Sequence, residues 1–233
     1  MRVIYLHGIA GHASLSPVMA RLIDTGAEVI AQRLPGFDGR SGFTAPVDHT
    51  EWLSRVWDTL DATGALPCPI VGASIGAMFA AELAIFRPEA VTRLVLMAPT
   101  GICDDAEPGV DLYALGGSRR LAALFAGETP RAFDTQFAEL GDEQGVARYL
   151  AQVAGASLIW PLPDRGLASR VHRIRTPRLV LWGDRDQLMP SSLAGRWSDS
   201  PIMIPNAGHL LEWDAPDAAF HAIDEFLNQR STP

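Results

Sequence analysis

The stretch PIVGASIGAMFAAELA, residues 69–84, joins an apolar run to an alanine-rich run through a single serine. Ser74 lies between Gly72 and Gly76, two residues without side chains. The run before the serine is typical of a buried strand, and the run after it is typical of a helix. A strand that passes directly into a helix predicts a layered α/β fold.

Two interpretations account for the small residues around Ser74. In the first, they only let the helix pack closely against the sheet. In the second, Ser74 occupies the strained turn of a G-x-S-x-G nucleophile elbow, where larger flanking side chains would collide with the neighbouring strand and helix. The helix N-terminus at such a turn also favours developing negative charge. The motif alone is weak, but its position between a predicted strand and a predicted helix favours the second interpretation.

Short apolar runs alternate with helical patterns along much of the chain. Six of these runs are predicted strands: residues 2–7, 28–34, 69–73, 93–98, 178–182 and 201–205. Strands buried on both faces of a parallel sheet have this composition. Ser16 is the predicted N-cap of a helix that starts at Pro17. Trp52, Val56 and Leu60 form one apolar helical face. The alternation predicts a doubly wound, mainly parallel six-stranded α/β sheet.

Residues 101–177 break this alternation, because they show helical patterns but no strand. Three helices are predicted there: residues 118–127, 130–140 and 142–156. A structureless loop of that length would be unusual, so we interpret the segment as a helical insertion over the sheet. The predicted organisation is a core of residues 1–100 and 178–233, interrupted by the insertion. A last helix is predicted to begin near Asp214.

Composition narrows the class of protein further. The chain has 233 residues, a formal net charge of -8, and is 48% hydrophobic and 20% charged, values typical of a globular domain. The acidic balance argues against a nucleic-acid partner. All 19 basic residues are arginine, which excludes chemistry through a lysine Schiff base. The N-terminal apolar run is too short for a signal peptide, and no run approaches membrane-spanning length. Cys68 and Cys103 form no metal motif, so we expect a cytoplasmic protein with free thiols and no metal or cofactor.

A serine nucleophile needs a base, and the base needs an orienting acid. Asp184 and Asp186 follow the fifth predicted strand, and His209 follows the sixth. The carboxyl ends of parallel strands meet at the edge that holds the ligand crevice. Serine, aspartate and histidine in this order form one of the known catalytic triads. Asp104 and Asp105, after the fourth strand, are alternative acids.

Four segments of this chain resemble motifs of the α/β-hydrolase family: LHGIAG (6–11), GASIG (72–76), GDRDQLMP (183–190) and NAGHLLEWDAP (206–216). The resemblance implies that Ser74 is the nucleophile and His209 the base. It favours Asp186 over Asp184 as the acid. It also implies that residues 101–177 form a cap over the active site.

The same resemblance implies the remaining parts of the site. The backbone N–H groups of Ile75 and Ile9 would form an oxyanion hole, with Ala10 as the alternative to Ile9. His7 would shape its loop rather than act as a base. The sheet order would be 2-1-3-4-5-6, since the family's usual strands before the first one here are missing. The predicted substrate pocket includes Ala10, Phe125, Trp160, Leu188 and Leu210, and the alternative role of Trp160 is to anchor the cap.

Three functions fit these residues. The first is a hydrolase of small or medium apolar carboxylic esters, acting on a small-molecule substrate through an acyl-enzyme. The second is a carbon–carbon bond hydrolase of ring-cleavage products. Trp213, four residues after His209, is similar to the pattern of that branch of the family, whereas Leu210, directly after His209, departs from it. An inward-facing arginine of the cap could hold the carboxylate of such a substrate. The third is a ligand receptor that keeps the fold without turnover.

Overall fold

A computed structural model of the chain describes residues 1–9, 11, 15–37, 44–46, 48–134, 138–160 and 164–229. Six strands lie within them: β1 (Arg2–Leu6), β2 (Glu28–Gln32), β3 (Cys68–Ala73), β4 (Val91–Met97), β5 (Arg178–Gly183) and β6 (Ile202–Ile204). They form one sheet in the order β2-β1-β3-β4-β5-β6, and every neighbouring pair is parallel. The predicted six-stranded parallel sheet and its strand order are therefore confirmed.

The described residues also form nine α-helices: α1 (Pro17–Asp24), α2 (His49–Asp61), α3 (Ile75–Phe86), α4 (Gly117–Leu124), α5 (Arg131–Asp134), α6 (Gln144–Ile159), α7 (Ala194–Trp197), α8 (Leu211–Asp214) and α9 (Pro216–Asn228). Short 3-10 helices occupy Pro88–Ala90, Ala138–Glu143, Leu167–Ser169, Val171–Arg173 and Ser191–Leu193.

The first two helices form for the local reasons predicted. At the start of α1, the Ser16 side chain accepts a hydrogen bond from the backbone N–H of Met19, and Pro17 is the first helical residue. A proline fits there because its missing N–H would have no partner in the first turn anyway. The predicted apolar face of α2 is buried against the core: Trp52, Val56 and Leu60.

Helix α3 is the most deeply buried helix of the described chain. Residues 75–84 are all buried, because the helix packs against β1, β3 and β4 and also contacts α2 and Val171–Arg173. The small side chains of this helix, Gly76, Ala77, Ala80, Ala81 and Ala84, allow close approach to the sheet.

One charged side chain, Glu82, lies within this buried helix. Its carboxylate accepts hydrogen bonds from Arg170 and lies 3.2 Å from His49 Nε2. Burial alone would raise the pKa of Glu82, but the hydrogen bonds from His49 and Arg170 outweigh it and lower the pKa. The Arg170–Glu82 pair therefore ties the end of the segment 101–177 to α3.

The segment 101–177 is helical and shows no strand in its described residues. Helices α4 and α6 confirm the first and third predicted helices of this segment. The predicted helix 130–140 differs, because α5 covers only four of its residues and a 3-10 helix follows at Ala138–Glu143; residues 135–137 lie outside the described part. Several apolar side chains of the segment join the same core as the sheet: Leu112, Leu124, Phe125, Leu158, Ile159 and Leu167.

The predicted C-terminal helix is confirmed as α9, which begins at Pro216 rather than near Asp214, and a separate short helix, α8, precedes it. α8 ends at Asp214, and α9 starts at Pro216. Ala215 between them is non-helical, with φ of -133°, because a following proline ring disfavours the helical conformation of the residue before it.

Among the described residues, none of the helices combines the length and the apolar character that crossing a membrane requires.

Candidate active site

Ser74 occupies the turn between β3 and α3, with a positive φ of 52° that side-chain-bearing residues rarely adopt. A Cβ on Gly76 would lie 2.6 Å from the carbonyl oxygen of His7, and one on Gly72 would lie 2.6 Å from the Cα of Ala77. Both contacts are with backbone atoms that cannot move aside. The two glycines are therefore required for this turn to pass between β1 and the first turn of α3.

A chain of hydrogen bonds runs from Ser74 through His209 to Asp186. His209 Nε2 lies 2.7 Å from Ser74 Oγ, and His209 Nδ1 lies 2.9 Å from Asp186 Oδ2. A carboxylate accepts hydrogen bonds, so Nδ1 carries the ring hydrogen and Nε2 accepts the serine hydroxyl. All three residues are buried. The serine oxygen thus lies next to a nitrogen that can take its proton.

Asp186 is the predicted acid that the fold brings to His209. Its other oxygen, Oδ1, accepts a backbone N–H of the following turn at 2.9 Å, which fixes the rotation of the carboxylate. Asp184 and Asp105 are exposed. Asp104 lies 3.7 Å from an arginine on the surface.

The loop after β1 passes beside Ser74. His7 Nε2 accepts the backbone N–H of Leu34 at 3.0 Å, so Nδ1 carries the hydrogen and donates to the carbonyl oxygen of Gly8 at 2.8 Å. This buried ring joins the loop after β1 to the loop after β2, which is the structural role expected of it. A Cβ on Gly8 would lie only 3.3 Å from the Cβ of Ser74, so the loop runs directly along the serine.

Two backbone segments meet at the serine. Ile75 follows Ser74 and is the first residue of α3, where N–H groups have no partner within the helix. Ile9 is buried on the adjoining loop, one residue after Gly8. Ala10, the alternative to Ile9, lies outside the described residues. The positive end of a helix and a glycine-containing loop are surroundings that suit a developing negative charge.

Leu210 and Leu188, two of the predicted pocket residues, are buried next to the site. Leu210 directly follows the histidine, and its Cδ2 would lie 3.3 Å from a Cβ on Gly8. Leu188 is buried two residues after the aspartate that meets the histidine. The structure therefore places apolar side chains on both loops that carry the polar residues.

Phe125 and Trp160, predicted for the same pocket, have very different surroundings. Phe125 is buried edge-on against Phe133, with ring centroids 4.9 Å apart. Trp160 is 55% exposed, and its indole N–H donates to the carboxylate of Asp111 at 3.3 Å. Phe125 thus lies on the buried side of the helical segment, in the core, whereas Trp160 lies at the surface of that segment.

A small cavity lies beside the first turn of α3. It holds about 10 Å³ and is lined by Met78, Thr100, Gly101, Cys103, Ile159, Arg165 and Met189. Thr100 places it near the serine, because its backbone N–H donates to the carbonyl oxygen of Ser74 at 3.3 Å. The Nε of Arg165 is buried without a hydrogen-bond partner among the described residues. An inward-facing arginine therefore lines the wall of this cavity.

Glu212 is a buried acid that sequence reasoning missed. It lies three residues after His209 within the apolar run HLLEW, which was the available signal. Its Oε1 lies 3.5 Å from the hydroxyl of Tyr5, and its Oε2 has no hydrogen-bond partner among the described residues. Burial, with a smaller contribution from the charge of Asp214, raises the pKa of Glu212 to about 7. A carboxyl group that is neutral at moderately acidic pH therefore lies next to the loop that carries His209.

Comparison with known proteins places this geometry in context. The profile described as "Alpha/beta hydrolase family" matches residues 3–223. The sn-1-specific diacylglycerol lipase ABHD11 of Mus musculus is 24% identical over 249 residues, which cover 97% of this chain and 80% of the relative. The 2-hydroxymuconate semialdehyde hydrolase of Pseudomonas sp. (strain CF600) is 31% identical over 202 residues, which cover 78% of this chain and 68% of the relative.

Solved structures show the same fold at lower identity. A membrane phospholipase A, described as a novel bacterial virulence factor, superposes with a TM-score of 0.77 at 24% identity, covering 97% of this chain and 78% of that one. The 2-hydroxy-6-oxo-6-phenylhexa-2,4-dienoate hydrolase from Rhodococcus sp. strain RHA1 superposes with a TM-score of 0.75 at 20% identity, covering 98% of this chain and 90% of that one.

The buried carboxyl of Glu212 should make folding stability depend on pH. In the unfolded chain this group titrates near its ordinary value of 4.5, and in the folded chain near 7. The folded state therefore binds the proton more tightly, and its contribution to stability is full below about pH 4.5 and is lost as the pH rises through 7. The loss amounts to about 3 kcal/mol.

Glu212→Gln, which is neutral at every pH, should remove this loss. We expect its free energy of unfolding, relative to wild type, to increase by about 3 kcal/mol between about pH 4.5 and pH 8. Urea unfolding at both ends of this range measures the difference. Glu225→Gln, on the exposed surface of α9, is the control and should show no such trend. If the free energy of unfolding depended on pH in the same way in wild type and in Glu212→Gln, this result would contradict a raised pKa of the buried Glu212.

Proposed function

Because the chain belongs to the alpha/beta hydrolase family, we propose that it is a serine hydrolase of carboxylic esters with small or medium apolar acyl groups. The observation that supports this most directly is the hydrogen-bonded chain from Ser74 Oγ through His209 to Asp186, with distances of 2.7 and 2.9 Å. Nucleophile, base and orienting acid need this contact order for acyl transfer.

The first half of the reaction forms an acyl-enzyme. Ser74 Oγ attacks the ester carbonyl carbon while His209 Nε2 takes the hydroxyl proton. Asp186 keeps the ring hydrogen on Nδ1 and stabilises the imidazolium cation that forms. The tetrahedral intermediate then collapses, the carbon–oxygen bond to the alcohol breaks, and His209 returns the proton to the leaving alcohol oxygen.

The second half releases the acid. Water attacks the acyl carbonyl while His209 accepts one of its protons, and that proton returns to Ser74 as the acyl bond breaks. In each tetrahedral intermediate the backbone N–H groups of Ile75 and Ile9 hold the oxyanion. Each such donor is worth about 3 kcal/mol in comparable sites.

Residues 101–177 act as a cap in this proposal. Their buried apolar side chains, Phe125 among them, join the same core as the sheet. Such a cover excludes water and strengthens the oxyanion interactions. Cys68 and Cys103 are free thiols, which is typical of the cytoplasm, and we expect the protein to act there on a small-molecule ester.

A second candidate is hydrolysis of a carbon–carbon bond in a carboxylate-bearing ring-cleavage product. Two observations favour it. One relative that is 31% identical is a 2-hydroxymuconate semialdehyde hydrolase. Arg165 also lines the cavity beside α3 and has a buried Nε without a hydrogen-bond partner among the described residues, and a guanidinium is a good partner for a carboxylate. The cavity volume of about 10 Å³ has room for little more than a water molecule, so the ester remains the first candidate.

Replacement of the nucleophile tests the proposal directly. Ser74→Ala should lower ester hydrolysis by at least about 1000-fold, since no other group then forms the acyl-enzyme. A fluorophosphonate probe followed by peptide mapping should label Ser74 alone in the wild type. Ser157→Ala, on the exposed face of α6, is the matched control and should keep full activity. Labelling of a different residue, or an alanine variant with a tenth of wild-type activity, would overturn the assignment of the nucleophile.

The two aspartates after β5 provide a matched pair of variants. Asp186→Asn should lower kcat by about 10⁴-fold, because an amide N–H facing His209 stabilises the wrong imidazole tautomer. Asp184→Asn should change kcat by less than about threefold, because the side chain is exposed. Steady-state kinetics of both variants give the comparison. A severe loss in Asp104→Asn or Asp105→Asn instead would place the acid after β4.

A substrate series separates the two candidate reactions. If the pocket is apolar, aryl esters with acyl chains of about four to eight carbons should be cleaved faster than the acetate, with each buried methylene contributing up to about 0.8 kcal/mol to kcat/KM. A vinylogous diketone acid, assayed in parallel, tests carbon–carbon cleavage. A flat profile of acyl length together with rapid turnover of the diketone acid, lost in Arg165→Met, would favour the second candidate.

A further inference from the structure

The loop that carries His209 is attached to the segment after α4. The carboxylate oxygen Oδ2 of Asp214 accepts two backbone hydrogen bonds, one from Gly208 at 2.7 Å and one from Ala126 at 2.8 Å. Gly208 directly precedes the histidine. One oxygen atom thus links the residue before the base to the chain just beyond α4.

A second tether lies on the other side of the histidine. The backbone N–H of Leu210 donates to the carbonyl oxygen of Leu124 at 3.1 Å. The two chains also lie very close together, since a Cβ on Gly208 would be 2.7 Å from the backbone N of Ala126 and the carbonyl carbon of Phe125. His209 is therefore bracketed by contacts to residues 124–126, which belong to the helical segment and not to the sheet.

We propose that Asp214 is a positioning residue for His209, whose carboxylate makes the geometry of the base depend on residues 124–126. The inference rests on the proposed function, because it concerns the histidine as a base. The two N–H groups point at a charged acceptor, which gives shorter and stronger hydrogen bonds than a neutral one. Without this acceptor, the residue before His209 loses its link to residues 124–126, and the Leu210–Leu124 contact, the Arg185–Ala207 backbone hydrogen bond and the Asp186 hydrogen bond remain. Nε2 is then held less firmly at its position 2.7 Å from Ser74 Oγ.

The alternative is that Asp214 only stabilises the junction between α8 and α9. The two roles predict different results for Asp214→Ala and Asp214→Asn. Asn retains a side-chain oxygen that can accept both N–H groups but has no charge, whereas Ala removes the acceptor. Asp217→Ala is the control. Asp217 lies on α9, only three residues after Asp214, and forms an exposed ion pair with Arg21.

The rate at which a fluorophosphonate labels Ser74 reports how well His209 activates the serine, and steady-state kinetics with an aryl ester separates kcat from KM. We expect Asp214→Ala to lower the labelling rate and kcat by about 10- to 100-fold, which is the cost of an ångström-scale displacement of a catalytic group. KM should change by less than about twofold. Asp214→Asn should recover to within about fivefold of wild type, and Asp217→Ala should match wild type.

Amide hydrogen exchange supplies a readout that does not depend on turnover. In Asp214→Ala, exchange should accelerate at Gly208 and Ala126, while α9 stays protected; general acceleration through α9 would show a structural role and overturn the inference. Wild-type labelling speed in Asp214→Ala, equal losses in the Ala and Asn variants, or a change confined to KM would each overturn it as well. Absence of Ser74 labelling in the wild-type protein would instead reject the proposed function, which distinguishes the two failures.

Discussion

The backbone of Ser74, held at positive φ where β3 passes into α3, is the constraint on which the rest of this structure depends. The chain can make this turn only because Gly72 and Gly76 present no side chains to α3 and to the loop after β1. The turn in turn fixes where α3 starts, so the helix lies buried along the middle of the sheet. It also brings the serine to the edge of the sheet where β5 and β6 end. The loops that follow those two strands carry Asp186 and His209, so one strained residue sets the position of the whole site.

The polar residues of the site are stable because their partners are fixed before any substrate binds. Asp186 uses one oxygen for His209 and the other for the backbone of its own turn, so the carboxylate is buried with both oxygens hydrogen-bonded. Glu212, only three residues from the histidine, is the contrasting case, because one of its oxygens has no partner among the described residues. Burial then favours its neutral form and raises its pKa, whereas a paired carboxylate can remain charged.

The helical segment 101–177 is joined to the α/β core at two places with different chemistry. At its C-terminal side, Arg170 pairs with the fully buried Glu82 of α3. Nearer its N-terminal end, residues 124–126 contact the loop that carries His209 directly and through Asp214. A buried ion pair is costly to break once formed. The helical segment is therefore attached both to α3 and to the loop that carries His209.

Much of the fold and part of the site could be predicted from local sequence pattern. The six short apolar runs determined the parallel sheet, because strands buried on both faces need apolar residues throughout. Ser16 and Pro17 determined the start of α1 through capping chemistry that acts within a few residues. The glycines around Ser74 pointed to a tight turn for the same local reason. By contrast, the sequence did not indicate the short helix α8 before the predicted C-terminal helix, and it did not single out the side chains of Glu212 or Asp214. Their surroundings, like the exposure of Trp160 and the pairing of Glu82 with Arg170, depend on distant parts of the chain, such as Tyr5 for Glu212 and Ala126 for Asp214. Burial and hydrogen-bond partners across such separations are decided by tertiary packing, because no pattern within a single helix or strand records which distant backbone will lie against it.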